Sequence, residues 1–333
     1  MSHQPLPDHF PADANWLAQA IDPRARLVRL VRMDETAYRT ASFLDDRILG
    51  QKIDARLCGL DEAIAAARDV DRSGAHWIFH IGHVGSTLVS RLLGEIDGVL
   101  ALREPRSLRD LASASEAGLT STLSKLMSRT FRPSQRALVK ATSFVSELAP
   151  LLVAADSRAL FLFASPNRYI QSILAGENSL IELRELGGER TRRLSARGIE
   201  LQGFEASPAH LAAAAWACEM TSLEAASDAL LAESVMWADF DRMLLDMGDA
   251  LKRVASHFGF AACDATLEAI AAGPLMRRYS KALEYDYSPS LRADLLEEAG
   301  RVHGADIADA LAALAASGHP LIERALARSE GNN

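Results

Sequence analysis

Cysteine is scarce in this chain, and its spacing excludes a covalent framework. Only three cysteines, Cys58, Cys218 and Cys263, are spread over the 333 residues. An odd number of widely separated cysteines argues against a disulfide network and against a structural zinc site, and it favours a reducing compartment. A chain of this length buries a large core without such links. We therefore expect its stability to come from packing.

The chain also lacks long apolar runs and an excess of positive charge. No apolar stretch reaches membrane-spanning length, and residues 1–30 hold prolines and aspartates instead of a basic region followed by an apolar one. We therefore predict no signal peptide, no membrane partner and a cytoplasmic protein. The formal net charge of −8 argues against non-specific nucleic-acid binding, which needs a net basic face. A local basic pocket is compatible with that charge.

The stretch from His76 to Leu93 carries the clearest pattern. It begins with a short run rich in β-formers, passes through Gly82 and Gly85, and continues with apolar residues at helical spacing. This order predicts a strand, a glycine-rich turn and a helix, whose first residues Ser86 and Thr87 can cap it. Such a turn points backbone N–H groups into a concavity, and the helix dipole adds to them, so phosphate is the expected ligand. An ordinary, well-capped strand-to-helix turn is the alternative.

Further short apolar segments follow at regular intervals and predict an α/β fold. They lie at residues 99–102, 137–140, 158–164 and 234–238, with helical periodicity between them. Strands that alternate with helices indicate a three-layer arrangement, with a mainly parallel sheet of about five strands and helices on both faces. The C-terminal part is predicted to be all helical.

Most segments outside the predicted strands have the periodicity of helices. Residues 1 to about 20 are expected to be a loosely ordered lead-in, and residues 26–33 fit a strand or a short helix. The arginine-rich segment 183–197 is either a solvated helical surface or an anion-binding lid. Helices are predicted over 34–49, 61–70, 145–155 with Ser143 as its cap, 208–231, 239–258, 290–302 and 304–328.

The glycine-rich turn is not the phosphate loop of nucleotide hydrolases. That loop requires Gly-x-x-x-x-Gly-Lys-[Ser/Thr], with the lysine reaching the β- and γ-phosphates. Here Gly85 is followed directly by Ser86 and there is no lysine. An ATP-dependent kinase thereby loses its main support.

Three histidines near the turn do not form a metal-ligand pattern. His76 and His80 lie on the predicted strand and His83 lies in the turn, with no carboxylate or cysteine nearby at ligand spacing. We therefore predict no metal. The sequence also contains no Gly-x-Ser-x-Gly nucleophile elbow.

Read with the segments that follow, the turn resembles the sulfotransferase family that uses 3′-phosphoadenosine 5′-phosphosulfate, in layout its tyrosyl-protein and bacterial branches. In that family a Pro-Lys-Ser-Gly-Thr-Thr loop between a strand and a helix binds the 5′-phosphosulfate. The segment Gly82-His83-Val84-Gly85-Ser86-Thr87 lies over this loop, with Gly85 and Thr87 identical. His83 stands at the family's lysine, which stabilises charge on the bridging oxygen, and a histidine does so only when protonated.

The resemblance also implies roles for residues at later strand ends. Glu104 occupies the place of a catalytic glutamate, a general base whose pKa partial burial is expected to raise. A salt bridge to Arg103 or Arg106 is the alternative interpretation. Lys140 resembles the lysine that holds the sulfuryl oxygens, although a lone lysine at a strand end is more often a solvated surface charge.

A further group of residues matches the part of the family that binds the donor's 3′-phosphate. Pro166 and Ser172 match the family's Arg-Asn-Pro segment and the helix serine behind it, while the arginine position is Ala164. Arg168 is therefore expected to supply the positive charge. Ser172 is otherwise an ordinary helix serine that bonds its own backbone. Lys281 falls where the family has a basic C-terminal loop over the nucleotide.

The resemblance covers roughly residues 75–290 and implies a P-loop nucleotide-binding fold. We predict one sulfotransferase-like domain over 1–333, with an N-terminal extension (1–75), a nucleotide-binding core (76–290) and C-terminal helices (291–333). The implied reaction moves a sulfuryl group from 3′-phosphoadenosine 5′-phosphosulfate, as co-substrate, to a hydroxyl or amine without a metal. The acceptor is an unidentified small molecule or peptide, and an oligomer is left open. A small-molecule ATP-dependent kinase and a non-catalytic nucleotide-binding homologue remain the alternatives.

Overall fold

A computed structural model gives the structure of residues 3–50, 53–72, 74–114, 116, 118–201, 203–281 and 286–331. Within these ranges the chain forms two sheets and a large set of helices. The strands are β1 (Trp16–Asp22), β2 (Leu27–Arg32), β3 (Ala55–Gly59), β4 (His76–His80), β5 (Val99–Arg103), β6 (Arg136–Lys140), β7 (Ala159–Phe163) and β8 (Val235–Asp239).

Helices make up most of the rest of the described chain. They are α1 (Glu35–Thr40), α2 (Leu60–Ala67), α3 (Ser86–Leu93), α4 (Arg106–Ala112), α5 (Leu119–Met127), α6 (Ala149–Leu152), α7 (Pro166–Leu174), α8 (Glu177–Ala196), α9 (Pro208–Ala229), α10 (Phe240–Leu245), α11 (Met247–Phe258), α12 (Asp264–Ala271), α13 (Pro289–Val302), α14 (Gly304–Ala315) and α15 (Pro320–Gly331). Short 3₁₀ helices lie at Asp46–Gly50, Ser143–Leu148, Ala232–Ser234 and Pro274–Arg277.

The central sheet is parallel and five-stranded, in the order β5-β6-β4-β7-β8. Every residue of β4, β5 and β7 is buried, which explains why these strands are continuous apolar runs without alternation. The chain first adds β5 and β6 on one side of β4 and then β7 and β8 on the other side. The order of the strands therefore reverses at β4. Ligands of open α/β sheets bind at the carboxyl ends of the strands at such a point. The predicted α/β fold with about five parallel strands is confirmed.

The N-terminal part contains a second sheet that the sequence did not reveal. Strands β1, β2 and β3 form an antiparallel sheet in that order, so the predicted loose lead-in to residue 20 is wrong. Trp16, Leu17, Ala18 and Ile21 are all buried, and so is Gln19 between them. A strand covered on both faces shows no alternation of apolar and polar residues, and its pattern is therefore weak. Residues 26–33 take the strand alternative.

The helix predicted over 34–49 is interrupted. Asp34 does cap α1 by accepting a hydrogen bond from the Ala37 N–H, but α1 ends at Thr40. The buried guanidinium of Arg103 donates to the backbone carbonyls of Tyr38, Arg39 and Ala41. These carbonyls thereby find a tertiary partner in place of a further helical turn.

Three other helix predictions need correction. The helix predicted over 239–258 divides into α10 and α11 at Asp246, whose side chain accepts from the Asp249 N–H and caps α11. Ser143 begins a 3₁₀ helix without a side-chain capping bond, and the α-helix behind it, α6, is only four residues long. The helix predicted over 304–328 divides into α14 and α15. Gly318 there adopts a positive φ of 61°, and Pro320 opens the new helix.

Both sheets contribute to one continuous apolar core that extends from Phe10 to Ala325. After β8 the described chain is almost entirely helical, as predicted for the C-terminal part. None of the helices in the described ranges has the length and apolar character needed to cross a lipid bilayer.

Candidate functional site

A cavity of about 340 Å³ opens at the carboxyl ends of the central strands. It brings together most of the residues predicted from the sequence. The turn from Gly82 to Thr87, Glu104, Lys140, Ser172 and Lys281 all line it. Arg168 is the predicted site residue that is not part of this lining.

The turn after β4 depends on glycine at one position in particular. Gly85 has φ +62° and is the N-cap of α3. A Cβ on Gly85 would lie 1.9 Å from the ring of Phe240, which follows β8. Both the backbone conformation and the contact therefore exclude a side chain there. His83, in the same turn, also has a positive φ of 54°, which is unusual for a residue other than glycine.

The turn presents unused hydrogen-bond donors to the cavity. Among the described residues no acceptor is found for the backbone N–H groups from His83 to Leu88. The hydroxyl Oγ1 of Thr87 also has no hydrogen-bond partner among the described residues, and Thr87 is only 2% exposed. Unsatisfied buried donors are costly, so this arrangement fits an anion that would accept from them.

His80 also lines the cavity, but both of its ring nitrogens are used to hold the turn in place. Its Nδ1 accepts from the Gly82 N–H at 3.0 Å, and its Nε2 donates to the Ala141 carbonyl at 2.9 Å. Burial, followed by the charge of Lys140, keeps the pKa of His80 well below its usual value. A neutral ring with one donor and one acceptor is what these two partners require.

The other two histidines of this region differ from His80 in their surroundings. His76 accepts from the Arg158 N–H at 2.9 Å and stacks on Phe258. It is not part of the cavity lining. His83 lines the cavity, and its pKa is lowered to about 3, first by burial and then by the charges of Lys281 and Arg190. His83 is therefore neutral at neutral pH and carries no positive charge. Within the described ranges, no three His, Cys, Asp or Glu side chains are grouped so that they could hold a metal ion.

Glu104 and Lys140 form an ion pair inside the cavity. Glu104 directly follows β5 and Lys140 is the last residue of the neighbouring strand β6, and the Glu104 N–H also donates to the Lys140 carbonyl at 2.8 Å. Lys140 is 1% exposed, so it is not the solvated surface charge that a strand-end lysine often is. Glu104 has a positive φ of 52°, a strained conformation that residues at functional sites often adopt.

The partners of Glu104 correct one alternative and one expectation. They are Lys140 and, at 3.7 Å, Arg47, whereas Arg103 donates to backbone carbonyls and Arg106 pairs with Asp46 and Asp110. Burial alone would raise the pKa of Glu104, but the charges of Lys140, Arg47 and Lys281 outweigh it, and the pKa is lowered. The expected rise in this pKa is therefore wrong, and Glu104 is ionised at neutral pH.

The residues predicted to bind a second phosphate are only partly brought together. Ser172 on α7 and the exposed Lys281 both line the cavity. Arg168 donates to Gln171 on its own helix at 3.3 Å. At the position of the family's arginine, Ala164 is buried and its carbonyl accepts from Trp216 Nε1 at 3.0 Å.

A buried arginine ties two walls of the cavity to the helix that follows the turn. Arg91 on α3 donates from Nε to the Ser280 carbonyl at 3.0 Å, next to Lys281. Its Nη2 donates to the Thr40 carbonyl at 3.2 Å and to the Ser42 hydroxyl at 2.6 Å. Arg91 therefore fixes the segment that carries Lys281 and the segment before Phe43 at the same time.

Several cationic and aromatic residues of the lining were not predicted. They follow no recognisable spacing, so the sequence offered no signal that places them at the site: Phe43, Arg47, Arg109, Phe240 and Arg292. With them, the cavity is lined by more cations (Arg47, Arg109, Lys140, Arg278, Lys281, Arg292) than acids (Glu104, Glu182, Asp286). The surroundings favour an anionic ligand even though the chain is acidic as a whole.

The arginine-rich segment 183–197 lies on α8, and its arginines mostly pair with acids. Arg190 is buried with its Nε 3.7 Å from the Glu219 carboxylate, and Arg193 and Arg197 pair with Glu147. None of these arginines lines the cavity. The helical alternative is the one that the structure adopts, although Arg190 is buried and not solvated.

No protein-family model matches the sequence, and no curated protein matches it. Among solved structures the chain is similar to a sulfotransferase domain from the curacin biosynthetic pathway, with a TM-score of 0.42 and 11% sequence identity. The similarity covers 79% of this chain and 99% of that domain. The function proposed next rests on the residues of the cavity and not on this similarity.

Proposed function

We propose that this protein is a sulfotransferase that moves a sulfuryl group from 3′-phosphoadenosine 5′-phosphosulfate to a hydroxyl or amine. One observation carries the proposal: a cradle of free N–H groups opens into the same cavity as the ion pair of Glu104 and Lys140. The cradle suits the phosphosulfate end of the donor. The pair adds a proton acceptor and a positive charge beside it.

The residues of the cavity fit both charged ends of this donor. The backbone from His83 to Leu88 and the free hydroxyl of Thr87 would bind the 5′-phosphosulfate. Ser172 and Lys281 would bind the 3′-phosphate, since both line the cavity. We assign Arg168 no direct contact, because its guanidinium bonds Gln171 outside the lining.

The chemistry requires a base for the acceptor and a charge for the transferred group. The donor supplies a sulfuryl group whose bond to the phosphate oxygen breaks as the acceptor oxygen or nitrogen bonds to sulfur. Glu104 is ionised and would take the acceptor's proton. Lys140 would hold the sulfuryl oxygens, while neutral His83 can offer only a hydrogen bond where the family has a lysine.

Calorimetry separates this function from that of a kinase. We expect tight binding of adenosine 3′,5′-bisphosphate and no binding of Mg-ATP. Thr87→Val is expected to weaken bisphosphate binding, because it removes a free donor from the cradle. Binding of Mg-ATP without binding of the bisphosphate would reject the sulfotransferase and support the kinase.

A second experiment separates an enzyme from a protein that only binds the nucleotide. Donor labelled with radioactive sulfur is offered with a mixed library of hydroxyl and amine acceptors. Transfer of label by the native protein, and its loss in Glu104→Gln while bisphosphate binding is retained, supports catalysis. Bisphosphate binding with no transfer to any acceptor would identify a non-catalytic homologue.

A further inference from the structure

The N-terminal extension contributes a wall to the cavity next to Glu104. Residues 41–48, which we name the 41–48 segment, lie outside the range of the sulfotransferase resemblance. The Leu44 N–H donates to the Arg103 carbonyl at 2.7 Å, and the Leu44 carbonyl accepts from Gln19 Nε2 at 3.3 Å. Asp46 pairs with Arg29 and Arg106. The 41–48 segment is thus bonded to both sheets, and this places Phe43 and Arg47 at the cavity.

Arg47 in this segment is held in one orientation by its neighbours. Its guanidinium lies over the Phe43 ring, 3.3 Å from the ring centre, and Nε donates to Asp45 at 2.8 Å. Nη2 also bonds Asp45 and lies 3.7 Å from Glu104 Oε2. Among the described residues Nη1 has no acceptor, and the side chain is 56% exposed. A donor next to the proposed base is therefore free and already positioned.

A second arginine of the lining, Arg109, follows Glu104 in the sequence, whereas Arg47 precedes it. Arg109 is on α4, the helix that follows Glu104 directly, and it is exposed and lines the cavity. In the described part of the chain it has no ion-pair partner.

We propose that the acceptor carries an anionic group, such as a carboxylate, close to its hydroxyl, and that Arg47 with Arg109 binds that group. The inference rests on the proposed function, since it takes Glu104 as the base that the acceptor hydroxyl must reach. A molecule that brings a hydroxyl to Glu104 also approaches the Arg47 guanidinium, whose Nη2 lies 3.7 Å from Glu104 Oε2 and whose Nη1 has no acceptor among the described residues. An anion there forms a charge-assisted bond, whereas a neutral acceptor leaves that donor to water. Arg47 is then a specificity-determining residue.

The test compares hydroxy acids with their own methyl esters. Protein saturated with adenosine 3′,5′-bisphosphate is titrated with para-hydroxyphenylacetate, ω-hydroxyoctanoate and the methyl ester of each. We expect each acid to bind more tightly than its ester by roughly tenfold or more. Arg47→Ala should remove most of this preference, and Arg47→Lys should keep part of it, because the charge stays while the guanidinium fork is lost. Arg253→Ala, an exposed arginine on α11, serves as the matched control and should keep the full preference.

The readout is the ratio of the binding affinities of acid and ester. A reaction rate would not serve, because Arg47 also lowers the pKa of Glu104 and its removal would change the rate through the proposed base. Equal affinity of acid and ester in both pairs, or no binding of either acid up to millimolar concentration, overturns the proposal. So does a preference that Arg47→Ala leaves intact. If the bisphosphate itself fails to bind, the sulfotransferase is rejected, and the same titrations without nucleotide still decide whether Arg47 binds the acids.

Discussion

Glu104 and Lys140 share both a backbone hydrogen bond and an ion pair, because they lie at the carboxyl ends of two strands that are neighbours in the sheet. A parallel sheet places the carboxyl ends of adjacent strands at one edge, so the two charges meet there whatever their separation along the chain. The pair is enclosed, since Lys140 is almost completely buried. Several consequences of this arrangement can be measured.

The first prediction concerns the role of Glu104. Glu104→Gln keeps an oxygen that accepts from Lys140 but removes the proton acceptor. We expect the rate of label transfer to fall by roughly a hundredfold or more, with bisphosphate affinity changed only slightly. The measurement is the initial rate with labelled donor. Glu233→Gln, an exposed glutamate near the start of β8, is the control and should leave the rate unchanged. Equal rates for Glu104→Gln and the native protein would exclude Glu104 as the base.

The pH dependence of the rate follows from the lowered pKa of Glu104. The carboxylate is the active form, so activity is expected to persist on acidification until the pH falls below the ordinary glutamate value of 4.5. Arg47→Ala removes one of the charges that lower this pKa, so the acidic limb of kcat/KM should move to higher pH. A limb above the ordinary value in the native protein would contradict the assignment of Glu104.

Thr87 provides a test that separates binding from stability. Its Oγ1 is buried without a partner, so Thr87→Val removes no hydrogen bond of the free protein. We expect the free energy of unfolding in urea to change by less than about 1 kcal/mol. Bisphosphate binding should weaken by roughly tenfold. In the control variant Thr122→Val, the lost bond to the Gly118 carbonyl at 2.9 Å should lower stability and leave binding intact. A Thr87→Val variant with native affinity would mean that this hydroxyl does not face the ligand.

Gly85 provides a steric prediction. Gly85→Ala puts a Cβ against the Phe240 ring in a left-handed conformation, so we expect a loss of about 2–4 kcal/mol in the free energy of unfolding. Adding Phe240→Leu removes part of the overlap and should recover part of the loss. Gly187→Ala on α8, where no atom lies within 4 Å, should be neutral or slightly stabilising. A single Gly85→Ala variant as stable as the native protein would contradict this contact.

His76 makes stability depend on pH. Burial, followed by the charges of Arg136 and Arg158, lowers the pKa of His76 from 6.5 to about 4. The unfolded chain therefore binds a proton before the folded protein does, so stability is full above pH 6.5 and is lost as the pH falls towards 4. The contribution is on the order of 3 kcal/mol. His76→Asn keeps an acceptor for the Arg158 N–H but does not titrate, so urea unfolding between these pH values should show a smaller slope. An unchanged slope would reject this role.

The sequence predicted the central sheet and the turn because their signals are local. Apolar runs at regular spacing and two glycines before a helix are readable without knowledge of the fold. The N-terminal sheet was missed because β1 is covered on both faces and does not alternate. The direction of the Glu104 pKa was wrong because Lys140 lies 36 residues away in the chain and becomes a neighbour only through strand order. Arg47 was missed for the same reason. Arg109 is close to Glu104 in the chain, but nothing in the sequence indicates that its helix turns this side chain to the cavity.

The buried arginines Arg91 and Arg103 bear on where this chain can be shortened. Arg91 lies on α3 and Arg103 at the end of β5, yet their guanidinium groups donate to carbonyls between Tyr38 and Ala41. A protein that began at β4 would lose these hydrogen bonds and the burial of both guanidinium groups, so we expect it to be less stable than the full chain. It would also lose the wall that carries Phe43 and Arg47. The residues from Trp16 to Ile48 are therefore hydrogen-bonded to the central sheet and supply part of the cavity lining, so we expect their removal to affect both stability and the cavity.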